Sequence, residues 1–200
     1  MKRYVYPSEI EGVVKAPASK SAMQRSIAAA LLADGESMLV NPTFCDDSIA
    51  AMRVAEGLGA RIRKISDCVI INGGLKPVTE SLNCGESGLC IRMFTPVAAL
   101  TGENLTLTGE KSLKERPVSA IEEPLRELGA VITSDNGRLP LRISGRLSGG
   151  NTEIDGSMSS QFLTGLLMAL PLCKTDSRLK VNNLKSREYI DLTINILKNF

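Results

Sequence analysis

The feature that most limits what this chain can fold into is a supersecondary pattern written twice in full and a third time in part. Gly57-Leu58-Gly59-Ala60 returns as Glu127-Leu128-Gly129-Ala130, 70 residues later (127 − 57), and Ile71-Asn72-Gly73-Gly74 returns as Ile143-Ser144-Gly145-Arg146, 72 residues later (143 − 71). Each copy reads strand, helix, strand, helix, strand, strand. A unit of this size cannot cover its own apolar faces, so the copies are expected to pack around a shared core. The third copy, from Thr152 to Phe200, reads strand, helix, strand, helix and lacks a closing pair of strands. Either it is degenerate or the sequence stops inside a larger protein.

Periodicity fills in each unit. Gly12 to Ala16 alternates like a short strand, and Ser21 to Leu32 is dense enough in Ala, Ile and Leu for a buried helix. Ser37 to Val40 predicts a strand. Asp46 to Leu58 carries an apolar stripe that stops at Gly59, a natural helix cap. Arg61 to Ile65 and Cys68 to Ile71 predict a strand pair turning at Ser66-Asp67. In the second unit the helices are expected over Gly88 to Leu100 and Val118 to Leu128, and the strands over Leu105 to Leu107, Val131 to Thr133 and Leu139 to Ile143. The last two strands join across Asn136-Gly137, a strong hairpin turn. The third unit predicts Thr152 to Ile154 and Leu179 to Val181 as strands, with helices over Ser159 to Leu170 and Glu188 to Lys198. Parallel βαβ elements closed by a short antiparallel pair give an α/β fold.

Composition narrows the function. The chain has 200 residues, 43% of them hydrophobic, enough for one sizeable core. Lys and Arg total 24 against 22 Asp and Glu, so no global field of the kind that binds nucleic acid is present, and 4% aromatics offer no base-stacking platform. No apolar run is long enough to span a bilayer and no signal-type core follows Met1, so a cytoplasmic chain is expected. The chain has no histidine, which removes Ser-His-Asp and Cys-His catalysis and His-based zinc sites from within it. Five cysteines without a CxxC pair predict reduced, mostly buried thiols.

The first helix of each unit starts in the same chemistry. Unit one has Ser19-Lys20-Ser21 with Arg25, unit two Gly85-Glu86-Ser87-Gly88 with Arg92, and unit three Gly156-Ser157-Met158-Ser159-Ser160-Gln161. Exposed N–H groups at the positive end of a helix suit anions, and small hydroxyl residues let an anion come close. Any one such Ser is an ordinary N-cap. Three in equivalent positions, which pseudo-threefold symmetry would bring together, point to a site for a small molecule with several negative charges. Lys114-Glu115-Arg116-Pro117 stands before the second helix of unit two, where Pro117 suits the first helical position and Arg116 a bidentate grip on phosphate or carboxylate. Ser186-Arg187-Glu188-Tyr189 occupies the equivalent place in unit three, where Tyr189 could instead be a core ring with its hydroxyl at the surface. Asp46 and Asp47, before a helix, read as caps.

In order and spacing, Lys20-Ser21 with Arg25, Gly85 to Arg92, Lys114 to Pro117, Gly156 to Gln161 and Ser186 to Asp191 resemble the EPSP synthase family (3-phosphoshikimate 1-carboxyvinyltransferases), over about Gly12 to Phe200. The resemblance implies an inside-out enolpyruvyl-transferase α/β architecture in two lobes of three βαβαββ units each. This chain then corresponds to one lobe, with units at about 12–75, 76–148 and a truncated 149–200, while residues 1–11 belong with the other lobe. The implied reaction adds the 5-hydroxyl of shikimate 3-phosphate to phosphoenolpyruvate, and phosphate leaves. Ser21 and Arg25 would hold the shikimate carboxylate, Ser159, Ser160 and Ser186 the 3-phosphate, and Tyr189 would line that pocket. Gln161 would lie between the substrates, and Lys20, Gly88 and Arg116 would take the phosphoenolpyruvate side. Lys20, which would touch both substrates, is the candidate for a direct catalytic role. No cofactor or metal is implied; the partners are the two substrates and the C-terminal lobe of the same protein, with no nucleic acid and no membrane. The acids that move protons in the family would lie in that other lobe, so the chain alone is expected to be inactive.

Two positions depart from the family pattern. Leu89 stands where Thr is frequent and Glu86 where Asn is frequent, and a carboxylate beside a phosphate site is unfavourable unless it pairs with Arg92 or points away. Three other readings compete. A UDP-sugar enolpyruvyl transferase typically has Lys-Asn near its start and a reactive loop Cys, whereas this chain has Lys20-Ser21 and no Cys between Cys90 and Cys173. A non-catalytic anion-binding lobe is the second. RNA-end-processing proteins with similar repeats are disfavoured by the missing histidine and near-neutral charge.

Overall fold

Three small sheets surround a helical centre in the computed structural model, which describes residues 2–157 and 160–200. The first unit holds α1 (Lys20–Leu32), β1 (Glu36–Val40), α2 (Asp46–Gly57), β2 (Arg61–Ile65) and β3 (Cys68–Asn72). The second holds β4 (Ser81–Asn83), α3 (Gly88–Ala99), β5 (Leu105–Thr108), α4 (Glu122–Glu127), β6 (Val131–Asp135) and β7 (Arg138–Ser144), and the third β8 (Asn151–Asp155), α5 (Ser160–Ala169), β9 (Arg178–Asn182) and α6 (Arg187–Leu197).

The second unit shows the whole sheet, in the order β4-β5-β7-β6, with β4 parallel to β5 and the other pairs antiparallel. The other two sheets are parts of the same diagram. β1-β3-β2 repeats its antiparallel portion, and β8-β9 repeats its leading parallel pair. Chain reversal repeats as well. After α2, Gly59 at φ +117 is followed by Ala60 N–H bonding Ala55 O at 2.9 Å; after α4, Gly129 at φ +97 is followed by Ala130 N–H bonding Leu125 O at 2.9 Å. A left-handed residue there lets the chain cap the helix and turn straight into the next strand.

The centre is built from α1, α3 and α5. Every residue of α3 except Arg92 is buried, which explains why its sequence is apolar on all sides. α5 packs against α3. Their closest approach is at Gly165, where a Cβ would lie 2.6 Å from the Met93 carbonyl oxygen and 2.7 Å from Pro96 Cγ. The strands lie outside this centre; β8 alternates, with Thr152 and Ile154 buried between exposed neighbours, whereas β3, central in its sheet, buries Val69, Ile70 and Ile71 in succession.

Three expectations change. Gly12–Ala16 forms no strand; residues 2–18 carry no regular element, and Val13 and Val14 are exposed. A strand is held by its neighbour's hydrogen bonds, and unlike β4 and β8 this segment does not pair with the strand that follows its helix. The helix expected over Val118–Leu128 is a 3-10 turn at Ser119–Ile121 followed by the short α4, which has Pro124 in its first turn. Pro117 is therefore not a first helical residue. Of the five free cysteines, only Cys84 and Cys90 are fully buried, the other three being half-exposed.

Candidate functional site

A cavity of about 660 Å³ opens where the starts of α1, α3 and α5 meet, with the loops before α4 and α6 closing its sides. Its lining holds four cations, Lys20, Arg25, Arg116 and Lys185, against two carboxylates, Asp47 and Glu86. A second cleft, of about 580 Å³ along β1, carries only the acids Asp34 and Glu36 among its ionised groups and so does not suit an anion.

Arg25 is only 1% exposed, yet no carboxylate pairs with it among the described residues. Its Nε donates to Thr193 Oγ1 at 2.9 Å, Nη1 to the Ser21 carbonyl at 2.9 Å and Nη2 to Thr164 Oγ1 at 3.2 Å. Its guanidinium lies 5.6 Å from the centroid of the Tyr189 ring. Burial lowers its pKa to about 10, against a partial pull upward from Tyr189. A buried cation balanced only by hydroxyls and a carbonyl is expensive unless an anion completes it.

The second unit builds a related arrangement. Arg92 Nη1 donates to the Gly88 carbonyl and to Gln161 Oε1, each at 3.2 Å, and Nη2 to the Pro117 carbonyl at 3.3 Å. Burial, and then the neighbouring Arg116, push its pKa down. A Cβ on Gly88 would meet Arg92 Nη1 at 2.9 Å, Arg116 Nη1 at 3.0 Å and Gln161 Oε1 at 3.6 Å, so two guanidiniums and an amide converge on a residue without a side chain. Arg116 is set there because Pro117 follows: its extended backbone (φ −80, ψ 136) ends a 3-10 turn over Lys111–Glu115. In each unit a side chain near the helix start returns to the carbonyl four residues earlier: the guanidiniums of Arg25 to Ser21 and of Arg92 to Gly88, and the short hydroxyl of Thr164 to Ser160 O at 3.1 Å.

The remaining expected residues line the same cavity. Ser186 caps α6 in the left-handed region (φ 56, ψ 48), a costly conformation for a residue with a side chain, and its hydroxyl makes no cap bond. Tyr189 is half-exposed and faces Arg25 instead of joining the core. Ser21, Ser160 and Gln161 stand at the two helix starts, while Ser159 lies outside the described residues. Glu86 pairs with Lys111 at 2.8 Å, not with Arg92, so its charge is answered at the rim.

The sequence reading missed several participants. Thr164 and Thr193, which carry Arg25, are separated from it by 139 and 168 residues and have no local signature. Lys185, which also lines the cavity, belongs to none of the motifs singled out in the sequence. Asp47 is corrected outright: the α2 N-cap is Cys45, and Asp47 instead holds Lys20 Nζ at 2.9 Å. The pair raises the Lys20 pKa, chiefly through the hydrogen bond to Asp47. No helix among the described residues is long and apolar enough to cross a membrane.

Comparison with known proteins converges with this geometry. A profile of the family described as EPSP synthase (3-phosphoshikimate 1-carboxyvinyltransferase) matches residues 5–200. The 3-phosphoshikimate 1-carboxyvinyltransferase of Methanocorpusculum labreanum is 40% identical over 99% of this chain and 48% of its own length. That of Clostridium kluyveri is 37% identical over 98% and 47%. In structure, an EPSP synthase from Acinetobacter baumannii superposes with a TM-score of 0.80 at 25% identity, covering 90% of this chain and 42% of its own. The chain spans about half the length of the curated relatives it matches, and it belongs to the EPSP synthase family.

Proposed function

We propose that this chain carries one half of a site for enolpyruvyl transfer from phosphoenolpyruvate to the 5-hydroxyl of shikimate 3-phosphate. The observation that carries the reading is the buried Arg25 guanidinium, held by hydroxyls and, among the described residues, left without a carboxylate at the wall of the 660 Å³ cavity. Ser21 and Arg25 take the shikimate carboxylate, and Ser160, Ser186 and Ser159 the 3-phosphate, with Tyr189 between them. Gly88 and Arg116 take the phosphoenolpyruvate side, and Gln161 separates the two substrates. The shikimate hydroxyl gives up its proton and bonds through oxygen to C2 of phosphoenolpyruvate while a proton is added at C3; phosphate then leaves C2 as a proton is lost from C3 and the double bond re-forms. Lys20, beside both the hydroxyl and the departing phosphate, offsets the charge that develops. The proton transfers fall to acids of a complementary lobe, with which residues 1–11 also pair, in a cytoplasmic enzyme.

The test is calorimetric titration of the chain with shikimate 3-phosphate, followed by phosphate release from both substrates with and without the complementary lobe. Binding without turnover is expected for the chain alone, since a site open to water weakens its electrostatic contacts. Steady turnover by the chain, abolished in Lys20→Ala, would overturn the division of labour. Gly88→Ala should crowd the tips of Arg92 and Arg116, which are flexible, so melting should barely move. Affinity for phosphoenolpyruvate is expected to fall by about tenfold, one lost charge-assisted contact, and equal affinity in the two proteins would remove Gly88 from that side.

A further inference from the structure

We propose that Asp47 is a positioning residue: its carboxylate anchors the Lys20 ammonium at the cavity, and so fixes where that cation can meet phosphoenolpyruvate. The inference rests on the reading of the cavity given above.

Lys20 begins α1, on a long flexible stem that is about half exposed (55%), and nothing in its own helix fixes where its charge sits. Asp47 is less exposed (24%) and comes from the first turn of α2, where the positive end of the helix steadies a carboxylate. At 2.9 Å the pair is a short charge-assisted hydrogen bond between two elements that both face the cavity. An ammonium has three donors. One is spent on Asp47, leaving two for a ligand and biasing the charge toward the cavity. Three titratable groups act on Lys20: Asp47, the Cys45 thiol in the turn before α2, and Tyr189 of α6. Of these, Asp47 dominates. Burial works to raise the Cys45 pKa, but hydrogen bonds from Ser48 and Thr43 prevail and lower it.

Two alternatives give opposite signs. If Asp47 merely competed with ligand for Lys20, its removal would strengthen binding of every anion. If it only capped α2, its removal would lower stability and leave the lysine titration unmoved. As a positioning residue, Asp47→Asn should weaken phosphoenolpyruvate binding by about tenfold, as loss of an orienting partner commonly does. Affinity for shikimate 3-phosphate should change less than about twofold, because Arg25 and the serines carry that contact. The Lys20 side-chain resonances, followed by NMR against pH, should titrate at lower pH in Asp47→Asn than in the unaltered chain, and Asp47→Glu should restore part of both effects.

An unchanged lysine titration, or tighter binding of both compounds, overturns the proposal. If the unaltered chain binds neither compound, the reading of the cavity falls, and the titration alone still decides whether Asp47 positions Lys20.

Discussion

Arg25→Met is expected to cost the chain its affinity for shikimate 3-phosphate while leaving the fold as stable as before. Two features separate the effects. The guanidinium makes neutral contacts only, so an apolar side chain of similar length removes an uncompensated buried charge, a change that is often neutral or stabilising. The groups it leaves behind stay satisfied: each of Thr164 and Thr193 keeps an acceptor for its one hydroxyl proton, in the carbonyls of Ser160 and Tyr189 or in the other hydroxyl 3.1 Å away. A charge-assisted contact to the ligand is worth about 1.5–3 kcal/mol, roughly a ten- to hundredfold change in affinity. Calorimetry and a thermal melt on the same sample decide the matter. Wild-type affinity in the methionine variant would remove Arg25 from the site, whereas a large fall in melting temperature would make it a structural strut.

Gly165→Ala should be the most damaging of the small substitutions. The added methyl would press on the backbone of α3 at Met93 and on the Pro96 ring, and backbone cannot rotate aside as a side-chain tip can. Overpacking of this kind costs about 1–3 kcal/mol, or more where backbone must shift. For a chain of this size that is a fall of roughly 2–12 °C in melting temperature. The effect should spread to ligand binding, because Thr164, the preceding residue, carries Arg25. An unchanged melt would mean that α3 and α5 do not meet this closely.

What could be read from the sequence was what is encoded locally. Gly59 and Gly129 mark helix ends that need positive φ, and Asn136-Gly137 at φ 50 and 78 makes the expected hairpin turn, so the repeat and most elements could be placed. The helix starts that line the cavity were visible for the same reason, since Ser19 and Ser87 accept hydrogen bonds from their own first turns. Gly12–Ala16 failed because alternation describes a strand's faces and says nothing of whether a neighbour is there to bond it. Asp47 failed because a carboxylate before a helix looks the same whether it caps that helix or meets a lysine 27 residues away. The helix before Leu128 is shorter than the expected Val118–Leu128 because its start is a 3-10 turn, and Pro117, which suits a first helical position, instead fixes Arg116 as the end of the preceding turn.

The repeated return to a carbonyl four residues back has a consequence for how a ligand knows which way round to lie. Three identical arms would offer an incoming molecule three interchangeable orientations, and a lopsided molecule would be smeared among them. Here two arms end in guanidinium and the third in a hydroxyl, and the third arm is spent on steadying the first. The degeneracy inherited from the repeat is thereby lifted by a single residue type, threonine where its counterparts have arginine. Handedness of recognition would then start from a place where the scaffold departs from likeness to itself.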